Sequence, residues 1–392
     1  MIRTDILISG AGLAGLVAAA AMHHAGYNVL VVDPARQTPG HDLRSTAYLQ
    51  PARTLLDQIG LWSELAPHTT ALDALRIIDT SGWPPRITET RTFQPTDLGA
   101  TSFGWNIPNA IARDVLTNHL ARQTGVHILS EVAVRSVLTR TTDVRTRLSD
   151  GQLVVAKLLI GADGRDSTVR DAVDIPVKTN RYGQKALAFH ATHARAHDNI
   201  STEIYNQGGA FTSVPLPDHN GAPCSAIVWM NDGPEISRLH ALAPDAFDAE
   251  MTARACATLG PMQRAGNLSA WPVISQRAER LTAQRTVLIA EAAHVLPPIG
   301  AQGLNTSLND ITALCDLVKD GNVPLGDPAQ LALYEKRRAS DITTRMRAID
   351  MFNRICRSGQ PAIQALRSTG LRAVYDFKPV RQGLMRAGIS AT

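Results

Sequence analysis

The sequence predicts an α/β protein: a Rossmann-like, doubly wound parallel sheet with an inserted antiparallel β-sheet domain and a helical C-terminal tail. Three observations predict it. A glycine-rich turn joins an apolar run to a helix-forming stretch within residues 5–33, and residues 176–275 switch to alternating runs broken by Pro and Gly. From 328 onward the chain is amphipathic, helical in pattern and rich in Arg.

Asp5-Ile-Leu-Ile-Ser9 is the short apolar run of a parallel strand buried on both faces. It enters Gly10-Ala-Gly12-Leu-Ala14-Gly15 and then Leu16-Val-Ala-Ala-Ala-Ala-Met22, a helix that ends around Gly26. A second apolar run, Asn28-Val-Leu-Val-Val32, stops at Asp33, which completes a βαβ unit. In that setting each glycine has a task. Gly10 permits the tight turn, Gly12 lets a pyrophosphate approach the backbone, and Gly15 lets the helix lie close to the strand. Asp33 is placed to accept hydrogen bonds from an adenosine ribose. The unit predicts a dinucleotide ligand without choosing between FAD and NAD.

Beyond it, 46–65 and 109–122 read as helices and 126–160 as strands ending in Leu158-Leu-Ile160. The alternating runs Ala186-Leu-Ala-Phe-His190 and Ser225-Ala-Ile-Val-Trp229, separated by Pro/Gly turns, read as an inserted antiparallel sheet. Thr286-Val-Leu-Ile289 returns to the first sheet, followed by a Pro/Gly loop and a helix from about 304 to 319.

Composition excludes other classes. The 392 residues are 44% hydrophobic, too apolar for a disordered chain. No stretch approaches the roughly 20 apolar residues of a membrane span, and Met1-Ile2-Arg3 runs straight into a strand pattern rather than a signal peptide. The four cysteines are scattered and read as reduced thiols of a cytoplasmic protein. A net charge of +4 is spread along the chain, and with 5% aromatics there are few stacking platforms, so nucleic acid is not expected as a partner. His190, His193 and His197 mimic a metal spacing, yet 190 and 193 fall on opposite faces of a strand and no acidic cluster adjoins them. No metal is expected.

A second motif, Gly161-Ala-Asp163-Gly164-Arg-Asp-Ser167-Thr-Val169-Arg170, resembles the Gly-Ala-Asp-Gly-x-x-Ser-x-Val-Arg segment of the flavoprotein aromatic hydroxylases of the p-hydroxybenzoate hydroxylase type. A third, Ala290-Glu291-Ala-Ala-His294 through Pro297-Pro298-Ile-Gly300-Ala-Gln302-Gly303-Leu304-Asn305, is similar to that family's Gly-Asp-Ala-Ala-His…Pro-Pro…Gly-Gln-Gly-x-Asn. Here Ala290 replaces a glycine, adding a methyl group where the backbone is normally bare, and Glu291 replaces an aspartate. Asp42-Leu-Arg44, Trp105-Asn-Ile-Pro-Asn109, Tyr182-Gly-Gln184 and Glu203-Ile-Tyr205 with Pro215-Leu216 resemble the ubiquinone-biosynthesis polyprenylphenol hydroxylases.

The resemblance implies an FAD-dependent monooxygenase that hydroxylates a polyprenylated phenol with O2 through a flavin C4a-hydroperoxide, reduced by NAD(P)H or a protein electron donor. It implies that Arg44 and Asn109 approach the flavin, with Arg113 competing for that place. Asp163 would lie near the cofactor, and Glu291 would hold the ribityl chain. The amides of Gly303, Leu304 and Asn305 would face the reduced flavin. His294 has a catalytic and a structural reading. The implied domains are an FAD-binding domain at 1–75, 101–175 and 273–327, a substrate domain at 76–100 and 176–272, and a C-terminal helical region at 328–392. Alternatives are a hydroxylase of a small soluble phenol, a flavin reductase of isoprenoid double bonds, and a flavin-binding accessory subunit of an assembly. The basic tail either packs on the FAD domain with a solvated face or touches an anionic membrane or a ubiquinone-biosynthesis protein assembly. An aliphatic pocket, rather than an aromatic cage, is expected for the substrate.

Overall fold

The computed structural model describes residues 1–36, 42–319 and 323–389. Parts of the expected segments that fall at 37–41, 320–322 and 390–392 lie outside the described residues. The first strand, Ile6–Ser9 (β1), is buried throughout, as a central parallel strand must be. Helix Leu13–His24 (α1) buries every residue from Ala14 to Met22, its alanines letting it lie close to sheet and neighbouring helices alike. It ends where Gly26 takes a left-handed φ of 93° and Val29–Asp33 (β2) begins.

Ser45–Leu49 is a strand (β3), followed by helix Gln50–Gln58 (α2), which corrects the expectation of continuous helix from 46. The strand forms because Ala47 and Leu49 bury one edge against Gly104–Pro108 (β6), a partner distant in sequence that no local pattern reveals. Between them Ala74–Ser81 (β4) and Arg86–Phe93 (β5) form a hairpin. Helix Asn109–Ala121 (α3) then leads to Val126–Ser130 (β7) and, after a small antiparallel ribbon, Leu158–Gly161 (β8).

Four long strands follow, Val177–His193 (β9), Ile200–Asn206 (β10), Gly209–His219 (β11) and Ala222–Asp232 (β12). Helices Gly233–His240 (α4) and Pro244–Arg254 (α5) interrupt the stretch read as pure sheet, each opened by a proline that suits a helix start. They cover the sheet's outer face through Leu239, Phe247 and Met251, which pack with Ile204 and Trp229. Met262–Ala278 (β13) and Thr286–Leu288 (β14) precede helix Gln302–Lys319 (α6). The tail forms three helices, Pro328–Arg357 (α7), Pro361–Asp376 (α8) and Lys378–Ile389 (α9).

Two sheets organise the chain. The six-stranded sheet runs Thr282–Ala283, β14, β8, β1, β2, β7, parallel except at the Thr282–Ala283 edge. The eight-stranded sheet runs His294–Val295, β13, β9, β12, β11, β10, β4, β5. It is antiparallel except where β10 meets β4, so the early hairpin joins the later strands through one parallel pairing. None of the described helices is long and apolar enough to cross a membrane.

Candidate active site

The glycine turn is set by close packing. A Cβ on Gly10, whose φ is 108°, would lie 2.3 Å from the Ala162 carbonyl oxygen, and one on Gly15 would lie 1.9 Å from the Gly10 carbonyl oxygen. Gly12 is different: nothing lies within 4 Å of its missing Cβ, so that space stays open above the start of α1. Asp33 accepts from the Ala11 amide at 2.6 Å and the Ala35 amide at 2.8 Å, so its carboxylate also fastens the turn.

The open space belongs to a cavity of about 1070 Å³ between the two sheets. Gly12, Ala14 and Gly15 line one end, together with Arg44, Asn109 and Arg113. Glu291, Gly303 and Leu304 line it from the other side of the turn. Four predicted residues, Gly10, Asp33, Asp163 and Asn305, stand behind this wall rather than on it.

Arg44 and Asn109 share a hydrogen-bonded arm. Arg44 donates twice to Asp42 at 2.8 Å, Asn109 Nδ2 donates to the same carboxylate at 3.3 Å, and Thr46 donates to Asn109 Oδ1 at 2.7 Å. Arg113 lies one turn along α3, and its buried Nε has no partner among the described residues. Asp163 accepts from the Ser167 hydroxyl at 2.5 Å and the Val169 amide at 3.1 Å, closing its own turn, and burial pushes its carboxyl up. Arg170 extends that turn to the third motif by donating to the Ala292 carbonyl at 3.2 Å.

At the third motif Ala290 adopts φ 56°, a left-handed backbone that costs an L-residue roughly 1–2 kcal/mol and glycine little. Its amide donates to Asp310 at 3.0 Å. Glu291 is 48% exposed, with Arg165 at 3.6 Å. His294 donates through Nε2 to Asp310 at 2.7 Å, and Arg338 of α7 donates to the other Asp310 oxygen at 2.8 Å. This places His294 in a buried network that ties loop, α6 and tail together, while its Nδ1 has no partner among the described residues. Asn305 spends its amide on structure. It accepts from the Leu49 amide at 2.9 Å and donates to the Ala47 and Ala301 carbonyls at 2.7 Å each, clipping β3 to α6.

These residues fit a dinucleotide. The space above Gly12, the orphaned Arg113 Nε and the start of α6, whose first amides have no partner within the helix, suit a pyrophosphate and an anionic flavin edge.

The far half of the cavity has a floor and a roof. One face of the eight-stranded sheet supplies the floor, including Ile77, Val228 and Val273. The tail supplies the roof through Phe352 and Ile355 of α7, Leu371 and Val374 of α8, and Met385 of α9. Sequence reasoning did not place the tail here, although Leu366, Gly370, Leu371 and Val374 recur at helical spacing around Arg367. The lining is mainly aliphatic, but Phe93, Phe103, Trp271 and Phe352 contribute aromatic faces that the low aromatic content did not lead us to expect. The tail's basic residues are not all solvated: Arg338 and Arg367 are buried in ion pairs, and Arg345 pairs with Asp341. Of the histidines with metal-like spacing, His193 bonds the Arg195 carbonyl and Ser225 and His197 the Leu216 carbonyl, while the buried His190 Nε2 has no partner among the described residues.

A family model described as FAD binding domain matches residues 3–347. Ubiquinone hydroxylase UbiL of Rhodospirillum rubrum is 30% identical over 389 residues, covering 97% of this chain and 88% of that protein. The 3-demethoxyubiquinol 3-hydroxylase of Escherichia coli is 24% identical over 379 residues, 94% of each chain. Among solved structures, p-nitrophenol 4-monooxygenase PnpA from Pseudomonas putida has the same fold, with a TM-score of 0.81 at 17% identity over 98% of this chain and 97% of that one. The flavin-dependent monooxygenase PieE, solved with FAD and substrate, matches with a TM-score of 0.75 at 20% identity over 100% of this chain and 71% of that one.

Proposed function

Since this chain belongs to the FAD-binding domain family, we propose that it hydroxylates the aromatic ring of a polyprenylated phenol in ubiquinone biosynthesis. It is an FAD-dependent aromatic-ring monooxygenase. The relatives named as ubiquinone and demethoxyubiquinol hydroxylases support the pathway. The observation that carries the substrate class is the cavity. It runs without a break from Gly12 and Gly303, where FAD would lie, to an apolar chamber under the tail, and cofactor and substrate share its volume of about 1070 Å³.

In this reading the mainly parallel sheet is the cofactor domain and the eight-stranded sheet the substrate domain. Gly12, Arg113 and the first turn of α6 hold FAD, and Arg44 and Asn109 position its reactive end. FAD supplies the oxygen-activating chemistry, by the flavin route that the family resemblance implies. The protein's part is to orient the ring, place positive backbone dipole near the flavin and keep water out. NAD(P)H or a protein donor supplies electrons. Leu366 and Leu384 line the cavity and are also exposed, so its mouth opens beside apolar surface, which supports entry of the substrate from a membrane face.

The test is oxygen uptake by the FAD-loaded protein with a reductant and either a prenylated phenol or its unprenylated parent. The reading expects oxygen consumed in proportion to hydroxylated product and a lower KM for the prenylated compound. Equal KM values favour a soluble phenol. Saturation of an isoprenoid double bond without oxygen uptake establishes the reductase, and a protein that takes up no FAD ends the scheme.

A further inference from the structure

Among the described residues four acidic side chains line the cavity, and three of them have a cation. Asp42 pairs with Arg44 at 2.8 Å, Glu291 lies 3.6 Å from Arg165, and Asp79 pairs with Arg367. Glu203 is the exception: among the described residues it has no ion pair, although only 7% of it is exposed. It stands on β10, where Ser201, Glu203 and Tyr205 face the cavity while Thr202 and Ile204 turn to the other face of the sheet. The Tyr205 hydroxyl donates to Glu203, and the Gly300 backbone, in the loop before α6, lies close enough to favour its carboxylate form. Gly300 lies three positions before Gly303, at the end of the cavity where the cofactor residues gather.

A carboxylate offers about four acceptor sites, and the Tyr205 hydroxyl occupies one. The remaining capacity faces an apolar chamber, where a ring hydroxyl needs an acceptor or forfeits a hydrogen bond. A glutamate kept only for structure would be cheaper as glutamine, because an unpaired buried carboxylate is costly to ionise.

We propose that Glu203, oriented by Tyr205, is the catalytic residue that accepts the proton of the substrate's phenol hydroxyl. The inference rests on the phenol-hydroxylase reading above. The phenol O–H bond breaks, the proton passes to a Glu203 oxygen, and the electron pair stays on the phenol oxygen, where it enriches the ring carbons toward electrophilic oxygen. Nothing is oxidised or reduced in this step. Burial pushes the Glu203 carboxyl up, toward the range of a general base that works near neutral pH, while Tyr205 and Gly300 moderate the rise. The other titratable groups around it are Asp79 on β4 and Arg367 on α8, which neutralise each other, and the buried Cys356 thiol on α7, pushed up by burial. Arg254 of α5, its value lowered to about 10, donates to the Ile204 and Gly209 carbonyls.

The experiment uses the full-length, FAD-loaded protein with 4-nitrophenol as a chromogenic probe and a short-chain prenylated phenol as substrate. The parent is expected to bind 4-nitrophenol partly as the coloured phenolate, and Glu203→Gln to bind it neutral with FAD content unchanged. Product formation should fall by about 100-fold or more in Glu203→Gln and stay within about tenfold in Glu203→Asp. Tyr205→Phe removes a donor that stabilises the carboxylate, so the acid limb of its kcat/KM profile should move to higher pH. A Glu203→Gln protein whose bound probe and turnover match the parent within about twofold overturns the inference, as does an unmoved acid limb in Tyr205→Phe. If the parent ionises the probe, Glu203→Gln does not, and no phenol is hydroxylated, the proposed function fails and the proton-accepting role of Glu203 stands.

Discussion

Asp79 and Arg367, 288 positions apart in the sequence, form a buried ion pair that joins the floor of the cavity to its roof. Arg367 also donates to the Thr80 and Cys356 carbonyls at 3.0 Å each, and Thr88 donates to Asp79 at 2.9 Å. The tail is therefore fastened to the eight-stranded sheet by a group that tolerates loss of neither partner. Arg367→Ala should cost about 3–5 kcal/mol, because Asp79 is left charged and buried. The double variant Asp79→Asn/Arg367→Met should recover most of that loss. Denaturant melts measure the cost, and limited proteolysis should cut first within α8 and α9 of the single variant.

Gly12 and Gly15 of the turn should respond differently to the same methyl group. Gly15→Ala drives a Cβ into the Gly10 carbonyl, so it should lower both the stability of the apoprotein and its FAD content. Gly12→Ala meets no protein atom within 4 Å, so the apoprotein should melt as the parent does while FAD affinity falls at least tenfold. The methyl group would then fill the space that the proposed function gives to the pyrophosphate. Fluorescence titration of FAD against apoprotein, with parallel melts, checks both. Equal affinity in Gly12→Ala and parent would contradict the assignment of that space.

How much of this was legible in the sequence follows from how local each feature is. The β1–α1–β2 unit is set by neighbouring residues, and its strand, turn and helix lie where periodicity puts them. Strand β3 was misread because Ser45–Leu49 runs without punctuation into a helix, and only its pairing with β6 keeps it extended. Helices α4 and α5 were hidden in a stretch whose flanking runs all alternate. At the site, motif residues came together at one end of the cavity. Yet Asp163 and Asn305 direct their polar atoms to the protein's own backbone and to Ser167. Arg367 could not be read from spacing, since its pairing depends on the tail folding back over the sheet, whereas Glu203 and Tyr205 share a strand face and only their burial in the cavity was hidden.

Asp310 holds three donors: the Ala290 amide, His294 Nε2 and Arg338 Nε. Burial pushes its carboxyl up, but His294 and Arg338 outweigh burial and hold it below the usual carboxylate range. A depressed native value means that the unfolded chain binds the proton more readily. The stabilisation is therefore complete above the unfolded value, about 3.9, and is lost as pH falls through the native one. Asp310→Asn should cost about 1.5–3 kcal/mol at neutral pH, since Arg338 keeps Asp341 at 2.7 Å but loses its second carboxylate partner. Its stability should also fall less steeply than the parent's below about pH 4. Urea midpoints across pH 3–7 test both statements; parallel curves for variant and parent would remove Asp310 from the acid transition.

The last prediction concerns the membrane face. Cutting the chain near residue 330 is a poor test, because it removes Tyr334 and Ile342, which pack into the core around the six-stranded sheet, and Arg338, which pairs with Asp310. The exposed residues of the tail offer a cleaner one. Phe377 is 61% and Val380 41% exposed, Lys378 and Arg386 are exposed nearby, and none of the four lines the cavity. An apolar face with basic neighbours suits an anionic lipid surface, and burying a side chain of this size contributes about 1.5–3 kcal/mol. Phe377→Ser/Val380→Ser should therefore reduce flotation with phosphatidylglycerol vesicles at least tenfold, and raised salt should weaken binding of the parent. Turnover of a short, soluble phenol should be unchanged, because the cavity wall is untouched. Equal flotation of parent and double variant would leave the exposed residues without a membrane role, and the prenyl chain would then have to be delivered by a protein partner.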